Sequence, residues 1–139
     1  MPQIDVAEFQ ALIEEHLPLV GLFGIKTISI DDGGVASMRM HFNPSLIRPG
    51  GTVAGPALMA LADVTLYAAV LGQIGRVELA VTTSLNINFL RKPGPADVIA
   101  EGRLLKLGKR LAVGEVTLYS QDDPDPVAHV TGTYSIPPR

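Results

Sequence analysis

The chain contains no cysteine and no tryptophan in 139 residues, and only four phenylalanines and three tyrosines. Without cysteine there is no disulfide, no thiolate metal site and no cysteine nucleophile. Charge is also sparse: 18% of residues are charged and the net charge is −3. Basic residues gather only in short clusters such as Arg91-Lys92 and Lys109-Arg110. That is too few to neutralise the phosphates of a duplex, so no nucleic-acid partner is expected. His16, His41 and His129 stand apart in sequence, and no His/Asp/Glu cluster has ligand spacing, so no metal and no cofactor are expected. There is no G-x-G-x-x-G dinucleotide fingerprint and no G-x-S-x-G elbow. The first 16 residues carry acids and no basic n-region, which speaks against a signal peptide and for a cytoplasmic location.

What the chain has in abundance is apolar residues, 47% of the total. That is enough for one globular domain over residues 1–139. Val53 to Ile74 is long enough to be taken for a membrane span. Asp63 lies near its centre, however, and an Asp at mid-bilayer costs about 2.5–3.5 kcal/mol on insertion scales. Gly55-Pro56 near its start and the strand-like remainder of the chain favour a buried core helix, with no membrane partner. An ionised Asp in such surroundings is costly unless compensated, so Asp63 is the first candidate for chemistry.

The remaining elements follow from periodicity. Val6, Phe9, Leu12 and Ile13 predict an amphipathic N-terminal helix over about 5–17, with Pro18 as a stop. Residues 23–30 and 35–42 read as strands joined by the hairpin turn Asp31-Asp32-Gly33-Gly34. The central helix is expected from about 55 to 72, with Pro56 in its first turn and Gly72 closing it. Four strands follow at 79–90, 98–107, 111–120 and 127–136, separated by the turn segments RKPGPAD, LGKR and QDDPDP. A helix without a polar face must be covered on most sides. An antiparallel sheet of about six strands wrapped around one long apolar helix does this, leaving one side for another subunit. That is an α+β, hot-dog architecture.

Between Arg48 and Asp63 the sequence RPGGTVAGPALMALAD resembles the signature of the hot-dog acyl-CoA thioesterases of the phenylacetic-acid-degradation (PaaI-like) family. That signature runs N-x-x-G-x-x-H-G-G followed by L-x-D, and Gly51, Gly55, Leu61 and Asp63 fall on it. VTTSLNINFLRKPGPAD resembles the family's third strand and following turn, and LLKLGKRLAVGEVTLYS its next hairpin, so similarity covers about residues 20–136. The chain departs at Arg48, Ala54 and Pro56, where the family has Asn, His and a second Gly.

The resemblance implies hydrolysis of an acyl-CoA to free acid and CoA. Asp63 would act as general base or nucleophile, and the Gly55 amide at the helix start would donate to the oxyanion. Thr82 takes the place of an assisting family Ser. Arg48, at the position of the family Asn, can donate hydrogen bonds but not accept them, and suits an anionic group. Arg91 and Lys92 match the family turn and would meet the CoA phosphates. Met59, Tyr67 and Ala54 would contact substrate. A homo-oligomer, dimer or dimer of dimers, is implied, with Asp63 of one subunit facing Gly55 of its partner. Each residue also has a plainer reading: a structural Asp, an N-cap glycine, a strand-forming threonine, and core or solvated side chains elsewhere. The alternative function is a non-catalytic acyl-CoA-binding hot-dog protein. A hydratase ranks last, since no His lies in or beside the central helix.

Overall fold

The computed structural model describes residues 1–139. Helix α1, Val6–His16, is capped by Asp5, whose carboxylate accepts the Glu8 N–H at 2.8 Å, and it buries Phe9, Leu12 and Ile13. Pro18 does not simply stop the chain. It caps a second, short helix α2, Leu19–Phe23, which closes on Gly24 with a left-handed φ of 65°. Strands β1 (Ile25–Asp31) and β2 (Val35–Met40) form the first hairpin. In β2 the buried set is Ala36, Met38 and Met40, the face the alternation predicts.

Helix α3, Gly55–Ile74, is followed by β3 (Val81–Phe89), β4 (Val98–Leu107), β5 (Leu111–Ser120) and β6 (Pro126–Ser135). The six strands make one antiparallel sheet in the order β1-β2-β4-β5-β6-β3. α3 lies across it and buries Leu58, Leu61, Leu66, Val70 and Leu71. It is long and apolar enough to cross a membrane by length and composition, yet it is mostly buried by the sheet. This is the hot-dog architecture.

The reading of Gly72 as the helix terminus is corrected. Gly72 is buried within α3, the helix runs on to Ile74, and Gly75 caps it with φ 85°. Gly72 is there for space: a Cβ on it would come within 2.7 Å of Ile30 Cγ2 on β1.

β3 has a consequence for the site. It pairs with β6 along one side only and is one of the sheet's two edges, the other being β1. Its flank is apolar, with Val81 and Phe89 at its two ends each more than half exposed and Leu79 and Leu90 exposed just beyond. A long edge with unpaired N–H and C=O groups and apolar neighbours is an unfinished surface.

Candidate active site

Asp63 sits in the third turn of α3, partly buried. Its Oδ1 accepts two hydroxyl hydrogen bonds, from Thr82 Oγ1 at 2.6 Å and from Tyr134 Oη at 2.7 Å. The Tyr134 hydroxyl also lies 2.8 Å from the Asp63 carbonyl oxygen, so its one proton is shared between the two acceptors. Oδ2 has no protein partner, and no buried side-chain oxygen lacks one, so Oδ2 reaches solvent. The carboxylate is thus held through one oxygen and open at the other.

Thr82 and Tyr134 are brought together by register. They are paired residues across β3 and β6, next to a bulge between Thr82 and Ser84. The bulge lets Thr82 keep its hydroxyl on the helix side of the strand. Tyr134 is buried, its ring stacked 6.1 Å from that of Tyr67, which in turn meets Phe9 at 5.7 Å. Burial, with the Asp63 carboxylate next in effect, pushes the Tyr134 phenol far above its ordinary value, so it stays a donor. Burial also raises the Tyr67 phenol, whose hydroxyl donates to the Glu78 carbonyl at 2.9 Å.

Asp63, Thr82, Tyr134 and Tyr67 line a cavity of about 230 Å³, with Leu12, Leu17, Val64, Ala80 and Val81 as its apolar walls. His16 and Glu78 stand at it too, 3.8 Å apart. Gly55 is elsewhere. It lines a second cleft of about 400 Å³ with Arg48, Thr52, Leu58, Phe89, Arg91 and Lys92. No residue is common to the two cavities.

At the start of α3 the Ala57 and Leu58 N–H groups both turn back to the Ala54 carbonyl, and Pro56 has no N–H. Gly55 is therefore left with the one free amide of the first turn. Of the cations in this cleft, Arg91 is paired with Asp123 and Asp125 at 3.4 and 3.0 Å, whereas Arg48 and Lys92 have no carboxylate partner. The positive end of the helix and two unpaired cations make this cleft receptive to an anion.

The structure therefore joins Asp63, Thr82 and Tyr67 in one place, and Gly55, Arg48, Arg91 and Lys92 in another. Ala54 is the N-cap of α3 and Met59 is surface-exposed, and neither lines either cavity. Tyr134 is the residue that sequence reasoning missed. A tyrosine in an alternating strand carries no signal of its own, and only the pairing of β3 with β6 shows it.

The comparisons with known proteins bear on this arrangement. Residues 50–127 match the family model described as the Thioesterase superfamily. A protein of Saccharolobus solfataricus named as an esterase is 31% identical over 120 residues, covering 85% of this chain and 77% of its own. A crystal structure from Silicibacter sp. TM1040, named as a thioesterase, superposes with a TM-score of 0.89 at 42% identity, covering 99% of this chain and 95% of that one. A point mutant of the phenylacetic acid degradation protein PaaI from Thermus thermophilus gives a TM-score of 0.76 at 27% identity, covering 86% of this chain and 99% of that one.

Proposed function

The chain belongs to the thioesterase superfamily, and from that premise we propose that it hydrolyses acyl-CoA thioesters to the free acid and CoA in sites shared between two subunits. The observation that carries the proposal is the Asp63 carboxylate, tethered through Oδ1 and open at Oδ2 to an apolar cavity. A carboxylate in that state can take a proton from water or attack a carbonyl carbon. The apolar walls suit the acyl group.

The remaining requirement is a donor for the oxyanion, and the free Gly55 amide supplies one in a different cleft. Gly55 lies eight residues from Asp63, roughly 12 Å along the helix, too far for both to act on one carbonyl. The open β3 edge offers the solution. If β3 of two subunits pairs antiparallel about its middle residue, Leu85, then position 81 of one strand faces position 89 of the other. Val81 and Thr82 border the Asp63 cavity, and Phe89 borders the Gly55 cleft. Twofold pairing thus brings each subunit's carboxylate beside the other's amide. Arg48, Arg91 and Lys92 then flank the same mouth, where the CoA phosphates would lie.

The test is thiol release from aryl-, short- and medium-chain acyl-CoAs, comparing wild type with Asp63→Asn. Release by the wild type, and a loss of at least a hundredfold in the variant at unchanged fold, is the expected result. Saturable acyl-CoA binding without thiol release from any substrate would instead support a non-catalytic acyl-CoA-binding protein.

A further inference from the structure

We propose that Tyr134 is a positioning residue for the reaction: with Thr82 it pins Asp63 through Oδ1 and so selects Oδ2 as the oxygen that reacts. The inference rests on Asp63 being the reacting carboxylate. The terminal torsion of an aspartate is broad and roughly two-fold, so with a single donor the two oxygens can exchange places. Two hydroxyls on the same oxygen remove that freedom. Tyr134 does more, because its hydroxyl also touches the Asp63 carbonyl at 2.8 Å and so ties side chain and main chain of one residue together. It comes from β6, 71 residues from Asp63 in sequence, and reaches it across the sheet-helix interface. Packing does not need the hydroxyl: the ring is held by its stack on Tyr67 and by burial, which a phenylalanine would reproduce. Both of the hydroxyl's acceptors belong to Asp63.

Such a clamp serves turnover more than binding. A reacting group held within a few tenths of an ångström keeps the near-attack geometry, and a misplacement of about 1 Å costs up to a hundredfold in rate. The other titratable groups facing this cavity are His16 from α1, Tyr67 from α3 and Glu78 from the segment after α3. All three are retained in the variants below.

The experiment compares Tyr134→Phe and Thr82→Val with wild type and with Tyr119→Phe, a change on β5 away from the cavity. The probes are benzoyl-CoA and hexanoyl-CoA. For Tyr134→Phe, kcat should fall by about tenfold with KM within twofold. Tyr119→Phe should leave kcat unchanged, and Thr82→Ser, which keeps the hydroxyl, should recover kcat that Thr82→Val loses. An independent reading needs no turnover: in crystal structures of Tyr134→Phe and Thr82→Val the Asp63 carboxylate should leave its single setting and occupy alternative χ2 orientations. If Tyr134→Phe does not fold, Thr82→Val alone carries that measurement. An Asp63 carboxylate that keeps one orientation in the variants, with kcat unchanged, overturns the proposal. A carboxylate that loses its fixed orientation in the variants of a protein releasing no thiol would leave the clamp standing and remove the acyl-CoA reading instead.

Discussion

A methyl group added to Gly55 would lie 3.1 Å from Cζ of Phe89. The first residue of the central helix and the last residue of the edge strand are thus in contact, and the glycine is what lets them approach. Its φ is not positive, so the constraint is space and not backbone conformation. The Phe89 ring is more than half exposed and can yield by a few tenths of an ångström. Gly55→Ala should therefore fold, with a melting temperature within a few degrees of wild type. The added methyl would crowd the free amide, and kcat/KM for an acyl-CoA should fall by about tenfold or more. Unchanged kcat/KM would show that nothing reacts beside this amide.

Asp97 predicts an acid-sensitive joint at the end of β2. Its Oδ1 accepts the Phe42 N–H at 2.7 Å, and its Oδ2 lies 3.2 Å from His41 Nδ1 and 3.1 Å from Arg39. These contacts, the Phe42 amide foremost, hold the carboxyl below its ordinary value. A depressed folded value means that the stability is present above the unfolded value of about 3.9 and is lost as pH falls through the folded one. Asp97→Ala should cost about 2 kcal/mol at pH 7. The gap from wild type in urea unfolding should persist at pH 5 and shrink at pH 3. A gap that does not change with pH would mean that the charge is not its source.

Apart from the short helix α2, the order of elements was readable because each had its own chemical marker. Asp31-Asp32-Gly33-Gly34 is turn chemistry whatever surrounds it. A run from Ala57 to Leu71 broken by one carboxylate has no soluble solution except a covered helix. Glycine was the ambiguous letter. Gly72 reads as a helix stop, yet it serves a close contact with Ile30, and the true cap is Gly75. In the candidate site, Asp63 and Gly55 could be singled out because they fall in one contiguous motif, and Thr82 because its strand resembles the family's third. Tyr134 could not be, because its meaning comes from the pairing of β3 with β6. The separation of Asp63 from Gly55 was legible, since eight residues of helix span roughly 12 Å and the family resemblance already sets Asp63 of one subunit against Gly55 of its partner.

Gly114 and Gly132 carry a prediction of their own. They face each other across β5 and β6, and a Cβ on either would come within 2.7 or 2.6 Å of a Leu66 methyl. The sheet is hollowed there to receive Leu66, which is fully buried. Gly132→Ala should destabilise the fold by about 1–3 kcal/mol, the range for overpacking a tight core. The double variant with Leu66→Ala should lose less than the sum of the two single losses, because the two changes share one space. Strictly additive losses in chemical denaturation would show that the contact is not the limiting one.

The last prediction concerns what completes the β3 edge. Val81 and Phe89 are 57% and 55% exposed in the single subunit, so a charge at either costs the isolated fold little. In a twofold β3 pair each would face the other across the interface, desolvated, where an unpaired charge is expensive. Val81→Asp should therefore weaken association by at least tenfold, measured by sedimentation over a concentration series. Combining it with Phe89→Lys would place opposite charges across the pair at both of its ends, and should restore much of the association. Phe89→Lys alone should behave like Val81→Asp. Such compensation depends on residue 81 of one chain meeting residue 89 of the other, so it reads the register as well as the presence of the interface. Rescue would fix the pairing on Leu85 and bring each Asp63 towards the other subunit's Gly55. Association weakened by both single changes and still weak in the double variant would mean a different register. Association indifferent to all three would place the subunit contact on another face and leave the two clefts apart.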